Sequence, residues 1–289
     1  MDTKLGIVAG DGNLPFIVAR NARKQGITSI YAAAFAGQTD PSLENYVDRI
    51  KWVGLGQLNK LIDFFTANGV KKAVFIGRVA HKVVFSNLKL DFKMIQLAMK
   101  IKDWRTDSIL GAIVEEITRS GVEIIDSTTY LKELLPGPAI LTKRKPSKQE
   151  QDDIRFGFFI AKNLAGLDVG QTVVVKKKTV CALEAVEGTD ETILRGGKLG
   201  KKNVVVVKVA KPHQDMRFDV PVVGTATLEK LREANASVLA IEAGRTLLLE
   251  QDELVTMADK HNMSIVVADP SQLGLSEFEK SVNKADTVV

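Results

Sequence analysis

Val204–Gly224 reads VVVVKVAKPHQDMRFDVPVVG, and its opening decides the fold class. Val204 to Val207 is apolar at every position rather than every second one, which marks a strand covered on both faces. Strands of that kind belong to the interior of α/β sheets. The stretch ends in Val220-Pro221-Val222-Val223-Gly224, a second short apolar piece stopped by glycine. Between the two lie Lys208, Lys211, His213, Gln214, Asp215, Arg217 and Asp219, seven polar groups in twelve residues. If this connection is extended, Asp215, Arg217 and Asp219 are spaced by two and share one side. Two readings stay open: a surface loop tied by an Arg–Asp ion pair, or a catalytic connection carried on a rigid scaffold.

The flanking sequence supports a layered α/β protein. After the stretch come a helix over Thr225–Asn235, a strand Val238–Ile241 ending in Glu242-Ala243-Gly244, and a short strand Leu247–Leu249. A helix Asp252–His261 and a strand Ser264–Ala268 follow. Before it, Gln151–Leu164 is helical, and Thr172–Val175 with Val180–Ala185 form a hairpin around Lys176-Lys177-Lys178. Thr189 is placed to cap the next helix, with Asp190 and Glu191 in its first turn and Gly196-Gly197 as its stop. Pro and Gly cluster at Leu135-Pro136-Gly137-Pro138, which divides the chain into domains 1–135 and 136–289.

The first domain opens with a strand, Leu5–Ala9, the turn Gly10-Asp11-Gly12-Asn13-Leu14-Pro15, and a helix stopped by Gly26. Strand, glycine turn and helix make the first unit of a parallel sheet, and the turn can present backbone N–H groups to an anion. A tight βα turn with no ligand is the plain alternative, because the glycines of the dinucleotide fingerprint are missing. Ser29–Ala34 and Lys72–Ile76 read as strands and Leu55–Ala67 as a helix. Gly77-Arg78 should open at the same sheet edge as the Gly10 turn, so that both line one crevice. Thr106-Asp107-Ser108 precedes a clear apolar stripe ended by Gly121, and Val122–Ile125 is the last strand. Leu88–Ile101 reads as a helix with two apolar stripes. Leu88, Phe92, Ile95 and Met99 form one, and Leu90, Met94, Leu97 and Ile101 the other. The second of these is expected to meet either a protein interface or a lipid surface.

Composition narrows the function. The apolar fraction of 45% and the charged fraction of 26% are those of a globular chain. One cysteine, Cys181, excludes a disulfide framework and fits a reducing cytoplasm. Three histidines and that cysteine cannot build a zinc site of the usual spacing, so a metal would be a hard ion such as Mg²⁺. No apolar run approaches the ~20 residues of a membrane span, and the start is not laid out as a signal peptide. The net charge of +5 is concentrated in residues 1–135, with 18 basic against 14 acidic residues. That excess suits phosphate-bearing ligands or an anionic membrane surface, whereas no nucleic-acid recognition motif is present. Carboxylates beside cations (Glu184, Glu187, Asp190, Asp215 and Asp219 with Lys176, Lys208, Lys211 and Arg217) fit phosphoryl or nucleotidyl transfer.

The segments GIVAGDGNLP, TDSILGAIVEEI, LTKRKPS, DIRFG, DVGQTVVVK, EAVEGTDE and KPHQDMRFDVPVVG, in this order, resemble the LpxI-type UDP-2,3-diacylglucosamine pyrophosphatases. The resemblance runs from about Lys4 to Asp269. It implies a Rossmann-like N-terminal domain, a distinct α/β C-terminal domain, and a cytoplasmic enzyme of lipid A biosynthesis associated peripherally with the inner membrane. It implies Mg²⁺ and attack of water on the α-phosphorus of the nucleotide-diacylsugar. Carried over by residue, the essential acid falls on Asp219, with Arg217 beside it and Asp215 just outside the pattern. Asp219 and Asp190 become the metal candidates. Glu184, Thr189, Asp190, Lys176, Lys211, Gln214 and Thr142 become substrate contacts, together with the turn residues Gly10, Asp11, Gly12 and Leu14 and with Gly77 and Arg78. A homodimer is the expected state for an enzyme of this kind. A non-catalytic lipid or nucleotide-sugar carrier on the same scaffold is the rival reading.

Overall fold

The computed structural model describes residues 3–79, 90–101 and 106–276. It divides into two compact units, Met1–Lys132 with Asp215–Phe218, and Glu133–Gln214 with Asp219–Val289. Four residues of the polar connection thus group with the first unit, although the chain enters and leaves them from the second.

Unit one is a five-stranded parallel sheet in the order β3-β2-β1-β4-β5. Its strands are β1 (Lys4–Ala9), β2 (Ser29–Phe35), β3 (Arg49–Val53), β4 (Lys72–Ile76) and β5 (Glu123–Ile124). The helices are α1 (Leu14–Lys24), α2 (Leu58–Ala67), α3 (Phe92–Lys100) and α4 (Thr106–Arg119). Strand β3 is not evident from the sequence, because RIKWV carries two cations and lies mostly exposed at the sheet edge. Charged side chains are a usual means of blunting such an edge. Strand order reverses at β1, between β2 and β4, so the turns after β1 and β4 flank the switch point.

Those two turns are bonded to each other. Asp11 N donates to Arg78 O at 2.8 Å, and Arg78 N donates to Asp11 O at 2.9 Å. This approach requires glycine: a Cβ on Gly10 would stand 2.5 Å from Arg78 O, and Gly77 has φ +95°. The two turns thus open at the same sheet edge, where a two-residue bridge joins them. Gly10→Ala is expected to break it and destabilise unit one by ~1–3 kcal/mol, the usual range for an overpacked site. A thermal melt with unchanged midpoint would contradict this.

The two stripes of the Leu88–Ile101 segment exchange roles. Leu97 is buried, and Met94 and Ile101 pack partly buried on the core of unit one. Phe92, Ile95 and Met99 stand 68%, 45% and 75% exposed. Asp91 fixes this rotation by capping α3, accepting from Met94 N at 3.0 Å and Asn59 N at 2.6 Å. Leu88 and Lys89 lie outside the described residues.

Unit two is a mixed six-stranded sheet in the order β6-β13-β11-β9-β7-β8. Its strands are β6 (Ala139–Ile140), β7 (Thr172–Lys176), β8 (Thr179–Leu183), β9 (Val204–Lys208), β11 (Ala236–Glu242) and β13 (Ser264–Ala268). A separate parallel pair joins β10 (Val222–Val223) to β12 (Leu247–Leu248). The valine run behaves as its composition demands. Val204 and Val206 enter the core beneath α6 (Thr189–Gly200), α7 (Thr225–Glu233) and α8 (Gln251–Lys260), while Val205 and Val207 face α5 (Lys148–Gly166). All four valines are wholly buried. Gly196-Gly197 do not stop α6, which continues to Gly200. A Cβ on Gly196 would lie 2.5 Å from Val174 and one on Gly197 2.4 Å from Ala234, so the first glycine lets the helix sit close on the sheet and the second close to the end of α7.

Candidate active site

The parallel strands β9, β11 and β13 end together at one edge of the sheet of unit two, the edge where α/β proteins bind ligands. Lys208, the last residue of β9, donates to Thr189 Oγ1 at 3.1 Å. Thr189 donates to Glu184 Oε1 at 2.9 Å, and Glu184 Oε2 accepts from Gln171 N at 3.1 Å. Thr189 is therefore the first residue of α6 and not its cap. That place is taken by Gly188, with Asp190 and Glu191 in the first turn where the helix field favours them.

The connection after β9 is not extended, so Asp215, Arg217 and Asp219 do not share a face. In unit one, Arg217 forks onto Asp215, with Nε at 2.9 and 3.1 Å from the two carboxylate oxygens and Nη2 at 2.6 Å. The guanidinium holds the Asp215 carboxyl below its ordinary range. The pair fits the ion-pair reading of the stretch, and Ser127 anchors it by donating from N and Oγ to Met216 O at 2.9 and 2.8 Å.

In unit two, Lys211 places its ammonium 2.6 Å from Asp168 and 3.7 Å from Asp219. Gln214 accepts from Lys211 N at 3.3 Å and donates to Asp219 O at 3.0 Å. Asp219 has φ +55°, a left-handed backbone that aspartate and asparagine tolerate better than most residues. One ion pair at this edge, between the partly covered Lys162 and the buried Glu242, has little signal in the sequence. Lys162 reaches both oxygens of Glu242 at 3.0 Å and donates to Ala210 O at 2.9 Å, while Ala210 N donates back to Glu242 Oε2 at 2.9 Å. Glu242 is legible only as the end of a strand, Lys162 lies in no quoted segment, and Asp168 opens the segment DVGQTVVVK without a role attached to it. Glu242 also floors an open depression of about 480 Å³ lined by Pro138, Arg245, Asp269 and Pro270.

Two candidates fall elsewhere. Lys176 sits at the opposite end of the sheet, donating to Gly200 O and Lys202 O at 2.7 Å each, where it closes the end of α6. Thr142 is buried beside the start of β13, accepting from Ile265 N at 3.0 Å and donating to Arg144 O at 3.1 Å. Gly10, Asp11, Gly12, Leu14, Gly77 and Arg78 belong to unit one, where Asp11 and Arg78 face each other at 3.5 Å. Burial pushes the Cys181 thiol up, which keeps it protonated and unreactive at neutral pH.

Among the described residues no three His, Cys, Asp or Glu side chains stand together as a metal cage. Glu184 and Glu242 have both oxygens engaged, Asp219 faces Lys211, and Asp190 is exposed on the first turn of α6. This donor set does not fit a resident metal ion.

The comparisons with known proteins agree with this division. Caulobacter vibrioides "UDP-2,3-diacylglucosamine pyrophosphatase LpxI" is 28% identical over 280 residues, which covers 93% of this chain and 99% of that protein. Among solved structures, the biotin carboxylase domain of a thermophilic 2-oxoglutarate carboxylase has a TM-score of 0.27 at 11% identity, over 60% of this chain and 35% of that one. N5-carboxyaminoimidazole ribonucleotide synthetase from Thermotoga maritima gives 0.24 at 16%, over 62% and 40%. Likenesses that slight carry no argument. The family models for the LpxI N-terminal and C-terminal domains match residues 4–134 and 137–266, in chain order and across nearly all the described residues, and the chain therefore belongs to the LpxI family.

Proposed function

We propose that this protein hydrolyses the pyrophosphate of UDP-2,3-diacylglucosamine, with water attacking the α-phosphorus to release UMP and 2,3-diacylglucosamine 1-phosphate. The family match over both domains carries this reading, together with the activity that the Caulobacter relative is named for. The edge of unit two offers suitable chemistry. Lys208 and Lys211 stand at the end of β9 and after it, where they can neutralise charge on the phosphates. Asp219, next to Lys211, is the group assigned to orient the attacking water and accept its proton. Mg²⁺ is part of the proposal as a hard ion that would accompany the pyrophosphate and neutralise its charge. Incubation with UDP-2,3-diacylglucosamine tests the reading. Release of UMP supports the hydrolase, whereas tight binding without turnover would hand the scaffold to the carrier alternative.

The substrate is diacylated, and no helix among the described residues is long and apolar enough to cross a membrane. On this reading the protein works at the cytoplasmic membrane face, as a homodimer, and meets lipid through the exposed stripe of α3. Phe92→Glu with Met99→Glu is expected to leave the melting temperature unchanged and abolish vesicle association. Leu97→Glu should instead destabilise unit one by ~3 kcal/mol, because it puts a charge into a core position. Flotation with anionic vesicles and a thermal melt on both variants decide the matter. Vesicle binding that survives the double substitution would sink the lipid role.

A further inference from the structure

We propose that the Lys162–Glu242 ion pair and Asp168 together form a positioning device for Lys211, holding its ammonium at the place where the pyrophosphate is cleaved. The inference rests on the hydrolase reading above and adds three residues to it. Both polar groups of Ala210 are taken by this pair: its carbonyl accepts from Lys162 and its N–H donates to Glu242. Ala210 directly precedes Lys211, so the pair fixes the backbone from which the Lys211 side chain starts. A second point of fixation comes from the same helix. Asp168, two residues beyond the end of α5 and left-handed at φ +58°, meets the Lys211 ammonium at 2.6 Å. The carboxyl end of α5 thus holds both ends of one lysine, its backbone through Lys162 and its charge through Asp168. The Lys211 side chain is 12% exposed as a result, an unusually confined state for lysine on a loop.

Stability alone does not account for the arrangement. A buried ion pair recovers little more than its own desolvation, and a well-packed apolar pair of similar volume is often as stable. Its distinguishing property is fixed geometry, and a displacement of about 1 Å at a reacting centre can cost ~100-fold in rate.

The experiment compares the wild-type chain with Lys162→Met/Glu242→Leu, Lys162→Arg and Asp168→Asn. Each is followed by thermal melting, by kcat and KM for UMP release, and by acetylation of Lys211 read by mass spectrometry. The apolar pair is expected to fold, to lose ~100-fold in kcat with KM nearly unchanged, and to expose Lys211 to acetylation about tenfold faster. Lys162→Arg should recover most of both readouts. A folded apolar pair with wild-type kcat would overturn the proposal, as would unchanged acetylation. If the apolar pair does not fold, Asp168→Asn decides, since asparagine keeps the left-handed backbone. Lower kcat with faster acetylation supports the device, and no change in either refutes it. A wild-type protein that releases no UMP would overturn the hydrolase reading, and acetylation would still report whether the pair positions Lys211.

Discussion

Asp219→Asn is expected to melt at the wild-type temperature, bind substrate, and lose at least ~100-fold in kcat. The choice of asparagine follows from the backbone. At φ +55° an alanine would add ~1–2 kcal/mol of left-handed strain, which asparagine largely avoids. The carbonyl of residue 219 keeps its bond from Gln214 whatever the side chain, so the loop has no reason to unfold. Only the carboxylate facing Lys211 is removed. Steady-state kinetics on the purified variant give the answer, and near-normal turnover would remove Asp219 from the chemistry.

Glu150→Ala is expected to cost about 3 kcal/mol of stability, as large as the Leu97→Glu effect, because it leaves the largely covered Arg144 guanidinium without its carboxylate. Arg144 reaches Glu150 through Nη2 at 2.7 and 2.9 Å and Ser264 Oγ through Nη1 at 2.8 Å, tying the amino-terminal ends of β13 and α5 together. Ser147 and Glu150 also close a capping box at the start of α5. A loss of that size in a unit of this length should lower the melting temperature by about 10 °C. The linkage has a definite sign. Burial alone would raise the Glu150 pKa, but the bonds from Arg144 and Ser147 outweigh it and the net shift is downward from 4.5. A carboxyl lowered by folding stabilises above its unfolded pKa, and that contribution disappears as pH falls through the folded value. The advantage of wild type over Glu150→Gln should therefore be constant near neutral pH and shrink below about pH 4.5. A difference that grew on acidification would contradict the assignment.

Much of the fold was legible because its strands are buried on both faces and leave continuous apolar runs. Val204–Val207 announces such a strand, and each successive valine enters the opposite core. Strand β3 was hidden because an edge strand needs no such run. Gly196-Gly197 were read as a helix stop when their role is close approach, to Val174 and to Ala234 respectively, and sequence alone does not separate the two uses. The α3 stripes could be drawn but not ranked, since the face that turns inward is set by the Asp91 cap and by α2, not by hydrophobicity. In unit one, Asp215 and Arg217 satisfy each other, an outcome that residue types allow but do not dictate. Lys162 escaped notice because a lysine near the end of a helix resembles any solvated charge until the chain folds over it, and Asp168 stood in the segment DVGQTVVVK with nothing to show that it meets Lys211.

Turnover of UDP-2,3-diacylglucosamine in H₂¹⁸O, followed by mass spectrometry of both products, tests the central claim most directly. Attack at the α-phosphorus places one ¹⁸O in UMP and none in 2,3-diacylglucosamine 1-phosphate. Label in the lipid phosphate, or no turnover at all, would contradict the account.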